Sequence, residues 1–273
     1  MVAPTIHTPV LMYHSIAGRS SSAFRRYCVD PALFEEHMAA LAARDYEALT
    51  VTELVDLRLS GREAPTRSVV VTFDDAFADF HHTALETLVR HGFTATLYVP
   101  TAYVGGTSRW LSSEGEGSRP VLSWSALAEV AAAGMDVGSH SCSHPQLDML
   151  SPVALRAELE ESRRMLEERL QRGVSSLAYP FGYHTARVRS AARAAGYRSA
   201  CAVRDLSSTT ADDPFALNRL TVPHGMPVEA LLRCVTASIG RASALRVDAR
   251  ANASRLLRRA RSGKRGFPSV LTR

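Results

Sequence analysis

The run Val69-Val70-Val71-Thr72-Phe73 ends in two adjacent carboxylates, Asp74 and Asp75. A β-branched stretch of this kind reads as a buried strand. Ionised carboxyls straight after it are costly unless something pairs with them. At the C-terminal end of a parallel strand they would enter the mouth where α/β barrels keep their active sites. Successive strand residues face opposite ways, so the pair predicts two jobs, one acid on a cation and the other toward a substrate. The plain alternative is an N-cap pair for the helix that follows. A second cluster, Gly138-Ser139-His140-Ser141-Cys142-Ser143-His144-Pro145, also follows a short apolar run. Histidines four apart share one side of a helical turn, a spacing suited to chelation. With a strand-terminal aspartate, His140 and His144 give three ligands and leave positions open for water, as catalytic zinc sites do. A non-haem Fe(II) facial triad uses the same donors, so both metals stay open on the residues alone. Cys142 is offset from both histidines and is expected to project away from them.

Two further strand ends carry usable groups. Leu177-Ala178-Tyr179-Pro180-Phe181-Gly182 turns on a proline, which fixes φ, and a glycine, which frees it. Backbone N–H groups held facing a mouth suit an oxyanion; an ordinary β-turn is the simpler reading. His14 ends the run Pro9-Val10-Leu11-Met12-Tyr13 and, on the same rim as Asp74 and His140, would be a proton donor. His184 and His224 also follow strand ends and are weaker candidates for the mouth. His37, His81, His82 and His91 fall in or beside helices and are expected at the surface. Trp110 is a candidate for stacking on a ring, and Trp124, at a helix start, is expected in the core.

These groups need a scaffold that gathers strand ends. Strand-like runs at 10–13, 69–73, 95–99, 135–138, 176–179, 199–203 and 217–222 alternate with helical patterns. Asp30-Pro31 opens a helix to about 44 and Thr52 one to 59, while 77–90 stops at Gly92. Ser123 opens one stopped by Gly134, Ser151-Pro152 one stopped by Gly173, Thr185 one ended by Gly196, and Pro227 one to about 239. Seven strands alternating with helices predict an α/β protein with a parallel sheet, closed as a barrel or doubly wound. Residues 101–122, with Gly105, Gly106, Gly115 and Gly117, read as a mobile loop.

A chain of 273 residues, 46% hydrophobic and 22% charged, suits one large globular domain. Its net charge of +5 is uneven: residues 241–273 hold ten basic groups against Asp248, which leaves about −4 for residues 1–240. The basic character belongs to the tail, and nucleic-acid binding is not expected. The chain divides into a barrel, 1–240, and a basic C-terminal tail, 241–273, helical or disordered, whose anticipated contact is a weak one with an anionic membrane. No run reaches the roughly 18 apolar residues of a membrane span. The first sixteen residues lack a signal-peptide pattern. Cys28, Cys142, Cys201 and Cys234 form no C-x-x-C pair, and a cytoplasmic protein with reduced thiols is expected. Nothing in these features fixes an oligomeric state.

Thr72-Phe73-Asp74-Asp75 followed by His140-Ser141-Cys142-Ser143-His144 resembles the first two motifs of the polysaccharide deacetylases, the NodB-homology group of carbohydrate esterase family four. The resemblance runs from about Val10 to Ile239. It implies a distorted (β/α)7 barrel of NodB type. It implies a divalent metal, usually zinc with cobalt, nickel, manganese or iron as alternatives, held by Asp75, His140 and His144, and Asp74 as general base. Pro180 and Phe181 match the third motif, R-x-P-Y/F, which puts the oxyanion donor on the Phe181 N–H and Tyr179 beside it. Ala178 stands where that motif has its arginine, and Arg219 is the candidate to support the base instead. The family's late L-x-H motif is missing, but Leu11 to His14 looks like that strand relocated to the N-terminus. The poly-N-acetylglucosamine deacetylases show this circular permutation and A-Y-P-Y/F-G, so the chain resembles that subgroup most, with His14 as the acid. The fourth motif, D-x-x-D-W, is not recognisable.

The chemistry so implied is hydrolysis of an N-acetyl group on an amino sugar, in a polysaccharide, oligosaccharide or glycoside, to acetate and a free amine. A bound metal lowers the pKa of water from about 15.7 toward about 7. Asp74 removes a proton, an N–H donor worth roughly 3–4 kcal/mol meets the oxyanion, and His14 protonates the amine. One alternative is a deacetylase or amidohydrolase of a small biosynthetic intermediate. A non-catalytic carbohydrate-binding barrel is another, and the retained Asp74 argues against it. The βα alternation argues against an Fe(II) oxygenase.

Overall fold

The expected strand runs do pair with one another. The computed structural model describes residues 7–203, 208–209 and 212–236. Eight strands form one parallel sheet: β1 (Val10–Tyr13), β2 (Glu47–Leu49), β3 (Ser68–Phe73), β4 (Thr96–Val99), β5 (Asp136–Ser139), β6 (Ser176–Ala178), β7 (Ser199–Cys201) and β8 (Leu220–Thr221). Their order is β7-β6-β5-β4-β3-β1-β8, with β2 on the N-terminal half of β3. A parallel bridge from Cys201 to Leu217 sets the approach to β8 against β7, at the other end of that order. The sheet curls into the distorted barrel that the βα alternation and the resemblance lead one to expect. Of these eight strands β2 alone escapes the sequence reading, because three residues are too few to show a period.

Seven helices accompany the strands among the described residues: α1 (Pro31–Ala42), α2 (Val51–Leu59), α3 (Leu85–Arg90), α4 (Trp124–Ala132), α5 (Pro152–Leu170), α6 (Ala186–Ala194) and α7 (Val228–Thr236). Asp30, Ser123, Ser151 and Thr185 cap α1, α4, α5 and α6 as their types suggest. The α2 cap is Thr50, in a capping box with Glu53, and not Thr52. The Thr52 hydroxyl donates instead to Asp136 Oδ2 at 2.8 Å. Ahead of α3 the expected helix is a π-helical turn over Phe80–Ala84.

The interior is apolar where strand side chains meet. Val10, Val70, Tyr98, Ala178, Cys201 and Leu217 pack together. Val51, Leu54 and Val55 of α2 join them, and the Val51 N–H donates to Thr96 at the start of β4, so α2 stops the N-terminal end of the barrel. His37, expected at the surface, is fully buried. Its Nδ1 accepts from the Tyr13 hydroxyl at 3.0 Å, and its Nε2 donates to the Met226 carbonyl at 2.8 Å. Burial holds it neutral by lowering its basicity.

The stretch 101–122, expected to be mobile, is tied down. Antiparallel bridges pair Thr107 with Pro120 and Phe77 with Val121. Arg119 donates to Ser15 Oγ at 2.9 Å, Glu116 Oε2 at 3.0 Å and Asp79 Oδ2 at 3.3 Å. Its guanidinium also lies 5.4 Å from the rings of Phe24 and Phe77. Glycine content suggested freedom, but a largely covered cation with this many partners removes it. The basic tail, 241–273, lies outside the described residues. Among those described, no helix is long and apolar enough to cross a membrane.

Gly138 ends the apolar part of β5 where a side chain has no room. An added Cβ would stand 2.5 Å from Tyr98 Cε1 and 2.7 Å from Ser176 Oγ. Gly138→Ala is expected to destabilise the fold by about 1–3 kcal/mol, seen as a lower urea midpoint at unchanged m-value.

Candidate active site

Alternation along β3 settles where Asp74 points. Phe73 packs outward against Phe34 and Phe80, with ring centroids 5.7 and 4.8 Å away. Val70, Thr72 and Asp74 therefore share the opposite face, which is the interior. Strict alternation would face Asp74 and Asp75 opposite ways, as the sequence suggested. The backbone instead passes through positive φ at Asp75 (75°) and Ala76 (50°). Both acids line one cavity of about 350 Å³, and each is only 3% exposed. Such backbone conformations cost a non-glycine residue on the order of 1–3 kcal/mol. They persist where surrounding contacts hold them.

The histidine cluster follows β5 into the same cavity, but not on a helical turn. Ser141 and His144 have left-handed φ of 64° and 58°, which no α-helical turn contains. His140 Nδ1 donates to the Ala178 carbonyl at 2.8 Å. A carbonyl can only accept, so the Nδ1 carries the proton and the Nε2 lone pair faces the acids. Asp75 Oδ1 lies 3.7 Å from His140 Nε2 and 3.4 Å from His144 Nε2. One ligand atom from each of Asp75, His140 and His144 falls within 4.8 Å of the others. Cys142 is outside this group. The Asp75 Oδ1 atom is buried without a hydrogen-bond partner, which a cation beside the carboxylate would relieve. The residues present fit a divalent metal.

Arg219 approaches from just before β8 and is 0% exposed. Its Nη1 donates to Asp74 Oδ1 at 2.6 Å and its Nη2 to Asp74 Oδ2 at 2.7 Å. The same guanidinium reaches Thr72 Oγ1 at 3.3 Å and, through Nε, the Ala202 carbonyl at 3.1 Å. Burial alone would raise Asp74, but the Arg219 charge outweighs it and holds the carboxyl well below the usual range. Asp75 behaves in the opposite way: burial first, then the Asp74 charge, push it well above that range. Burial lowers both His140 and His144, so both are neutral. His14 lines the cavity with its ring 4.7 Å from that of Tyr27. Burial lowers it to about 4 against the pull of Asp74.

The Pro180-Phe181-Gly182 turn divides the remaining candidates. Phe181 takes a left-handed φ of 60°, and the Gly182 N–H closes the turn on the Tyr179 carbonyl at 2.8 Å. The Phe181 ring, 47% exposed, lies 4.8 Å from the His144 ring at the cavity wall. Pro180 is buried behind it. Tyr179 is a correction: its side chain is fully buried and donates to the Phe215 carbonyl at 3.0 Å, away from the cavity. His184 and His224 are not among the lining residues; His224 meets the Cys28 carbonyl at 2.8 Å. Trp110 packs on His144 at 5.3 Å, whereas Trp124 lies under Arg169. Sequence reading passed over Arg26, Tyr27 and Glu114, which line the mouth. They sit in short 3-10 turns, Arg25–Tyr27 and Arg109–Glu114, outside the strand-end motifs, and no signal marks them.

A family model described as polysaccharide deacetylase matches residues 61–200, just over half of the chain. YxkH of Bacillus subtilis, provisionally named a polysaccharide deacetylase, is 26% identical over 218 residues, 80% of this chain and 72% of that one. The poly-β-1,6-N-acetyl-D-glucosamine N-deacetylase of Staphylococcus aureus is 24% identical over 172 residues, 60% of this chain and 57% of that one. The chain thus spans little more than half the length of that relative. Among solved structures, the deacetylase PplD of Streptococcus pyogenes in complex with acetate has a TM-score of 0.75 at 24% identity, over 86% of this chain and 100% of that one. BA0330 of Bacillus anthracis, provisionally named a polysaccharide deacetylase, has a TM-score of 0.71 at 25% identity, over 85% of this chain and 70% of that one. The matched segment takes in Asp74, Asp75, His140, His144 and Phe181, while His14 and Arg219 fall outside it. On the strength of that match, the chain belongs to the polysaccharide deacetylase family.

Proposed function

We propose that this chain is a metal-dependent hydrolase that cleaves the N-acetyl amide of amino sugars in a carbohydrate polymer, releasing acetate and leaving the free amine. One observation carries the reading. A carboxylate and two neutral imidazoles converge within 4.8 Å, beside a second carboxylate that is paired separately. The family and the named activity of the staphylococcal relative support the substrate class. The barrel is proposed to take in residues 1–240.

Asp75, His140 and His144 would hold the cation. Two nitrogens and one oxygen with further positions open suit zinc. A divalent cation held there supplies Lewis acidity toward a water and toward the acetamide oxygen. Asp74 is the proposed general base. Bound by Arg219 it is a weak base, adequate for a water whose acidity is already raised and for little else. The base and the three ligands are therefore needed together. Arg219 is the positioning residue: a two-pronged guanidinium fixes the plane of the carboxylate as well as its charge. His14 is the proposed acid for the departing amine. With its pKa lowered to about 4, its imidazolium is a strong acid, formed in passing and not held at rest. The Phe181 N–H is the proposed oxyanion donor, and the exposed Phe181 ring offers an apolar face to a sugar.

Dialysis against a chelator should abolish acetate release from N-acetylated chito-oligomers or poly-N-acetylglucosamine, and added zinc or cobalt should restore it. Activity that survives full chelation would exclude the metal. Asp74→Asn should keep bound zinc, measured by elemental analysis, and lose about 10²–10⁴-fold in kcat. His14→Ala should slow turnover with metal content unchanged; a loss of metal would make His14 a ligand instead. Arg219→Met strands a buried carboxylate and should destabilise by about 3–5 kcal/mol. That deficit should shrink as pH falls, because the Asp74 carboxyl, no longer held low, is protonated in the folded variant before the unfolded chain is. Arg219→Lys keeps the charge but not the fork and should fold better than Arg219→Met while still losing rate.

A further inference from the structure

The left-handed residues in 140–144 deny its backbone N–H groups the i to i−4 carbonyls of a helix. Each has found another acceptor. The His140 N–H donates to the Val99 carbonyl at 2.9 Å. The Ser141 N–H donates to Ser139 Oγ and the His144 N–H to Ser141 Oγ, both at 3.1 Å. The two in the middle, Cys142 and Ser143, donate to one oxygen of Glu158 at 2.9 and 2.8 Å. The other Glu158 oxygen takes the Ser143 hydroxyl at 2.5 Å. Glu158 comes from α5, a separate element, and it is not in the Asp75, His140, His144 group. One turn further along α5, Ser162 Oγ meets Ser139 Oγ at 2.5 Å. A single face of α5 thus grips the chain on both sides of His140.

From this geometry we infer that Glu158 is a positioning residue that sets how tightly the two histidines hold a divalent cation; the inference rests on the metal reading above. The five-residue span contains two left-handed, non-glycine positions, each unfavourable by on the order of 1–3 kcal/mol. Local preference therefore opposes the conformation that aims both imidazoles at Asp75. Hydrogen bonds to an ionised acceptor are roughly twice as strong as neutral ones, and this carboxylate receives three. Removing it leaves two half-buried N–H groups without that acceptor and frees the span to relax, which separates the imidazoles. The carbonyl of glutamine still accepts both N–H groups, and the Ser143 hydroxyl can turn to accept from its amide, so Glu158→Gln preserves most of the grip.

Zinc affinity, measured on the full chain by competition with a chromophoric chelator, tests this together with thermal unfolding of the zinc-free and zinc-loaded forms. Glu158→Ala should bind zinc about 10–100-fold more weakly, the range for losing a partner that orients a ligand. Its gain in Tm on adding zinc should shrink accordingly. Glu158→Gln should stay within about threefold of wild type, the rescue that its retained acceptor predicts. Wild-type zinc affinity in Glu158→Ala, with only the zinc-free Tm lowered, would reduce Glu158 to a structural role and overturn the inference. If Glu158→Ala fails to fold, Glu158→Gln and Ser143→Ala are compared singly and combined. Affinity unchanged in all three overturns it equally, whereas a drop in Ser143→Ala that Glu158→Gln does not deepen supports it. A wild-type chain that takes up no divalent cation would overturn the metal reading as well, so the two failures are told apart.

Discussion

The buried pair of Arg219 and Asp74 is the interaction on which the site depends. Taking both ions out of water is expensive, and a paired arrangement offsets that only with good geometry and with its remaining hydrogen bonds filled. Here two short bonds join the ions, and the spare donors reach Thr72 and Ala202. Those partners belong to β3 and to the residue following β7, while Arg219 itself leads into β8. One guanidinium therefore ties together three places on the barrel wall, including the pair of strands at the two ends of the sheet order. It also makes sense of Ala178. That residue packs with Tyr98 and Leu217, and the Arg219 guanidinium lies 5.6 Å from the Tyr98 ring. A second arginine at 178 would bring another buried cation to a carboxylate already fully engaged.

Strain is concentrated at the rim. Asp75, Ala76, Ser141, His144 and Phe181 are five of the seven non-glycine residues with positive φ among those described. Each lies just beyond a strand, where the regular hydrogen-bond ladder ends and the backbone must be redirected. The effect is directional. Positive φ at Asp75 and Ala76 adds a second acid to a cavity that alternation would supply with one. At Ser141 and His144 it folds back a span that would otherwise continue as a helical turn, and at Phe181 it sets a ring against His144. Unfavourable local conformations in this number need contacts that over-determine them. At Ser141 and His144 the tethers from α5 and the Ala178 carbonyl supply these.

What the sequence made legible followed from short-range physics. Val69 to Phe73 is apolar enough to be a strand, an acid pair at its end demands a partner, and two histidines at close spacing suit a common ligand. What it hid had one of two causes. Positive φ at aspartate, serine or histidine leaves no mark in composition, so alternation set the two acids facing opposite ways and spacing wrongly put His140 and His144 on a helix. Long-range contacts leave none either. His37 was expected at the surface, yet it is buried and bonded to the Met226 carbonyl 189 residues away; Arg219, 145 residues from Asp74, came into view only through the family resemblance. The looseness inferred from glycines in 101–122 failed for the same reason, since Arg119 draws its partners from Ser15 and Asp79. Tyr179 was misplaced because a motif names residues and not the side of the strand each faces.

The charges at the site form a sequence of dependence. Arg219 neutralises Asp74 and leaves it ionised, so Asp74 still repels a second anion nearby. Asp75 is that anion, facing imidazoles that burial keeps neutral, with Glu114 adding to the repulsion and the Arg219 charge offsetting only part of it. The arrangement disfavours a charged Asp75 unless a cation sits between it and the two lone pairs. The same neutrality makes the histidines available as donors, because a protonated imidazole has no lone pair to give. The groups that would bind a metal are thus poised by the pair that would not. If Asp74 lost its arginine, its carboxyl would rise and take up a proton, the repulsion on Asp75 would fall, and the site would give up its base and part of its demand for a cation together.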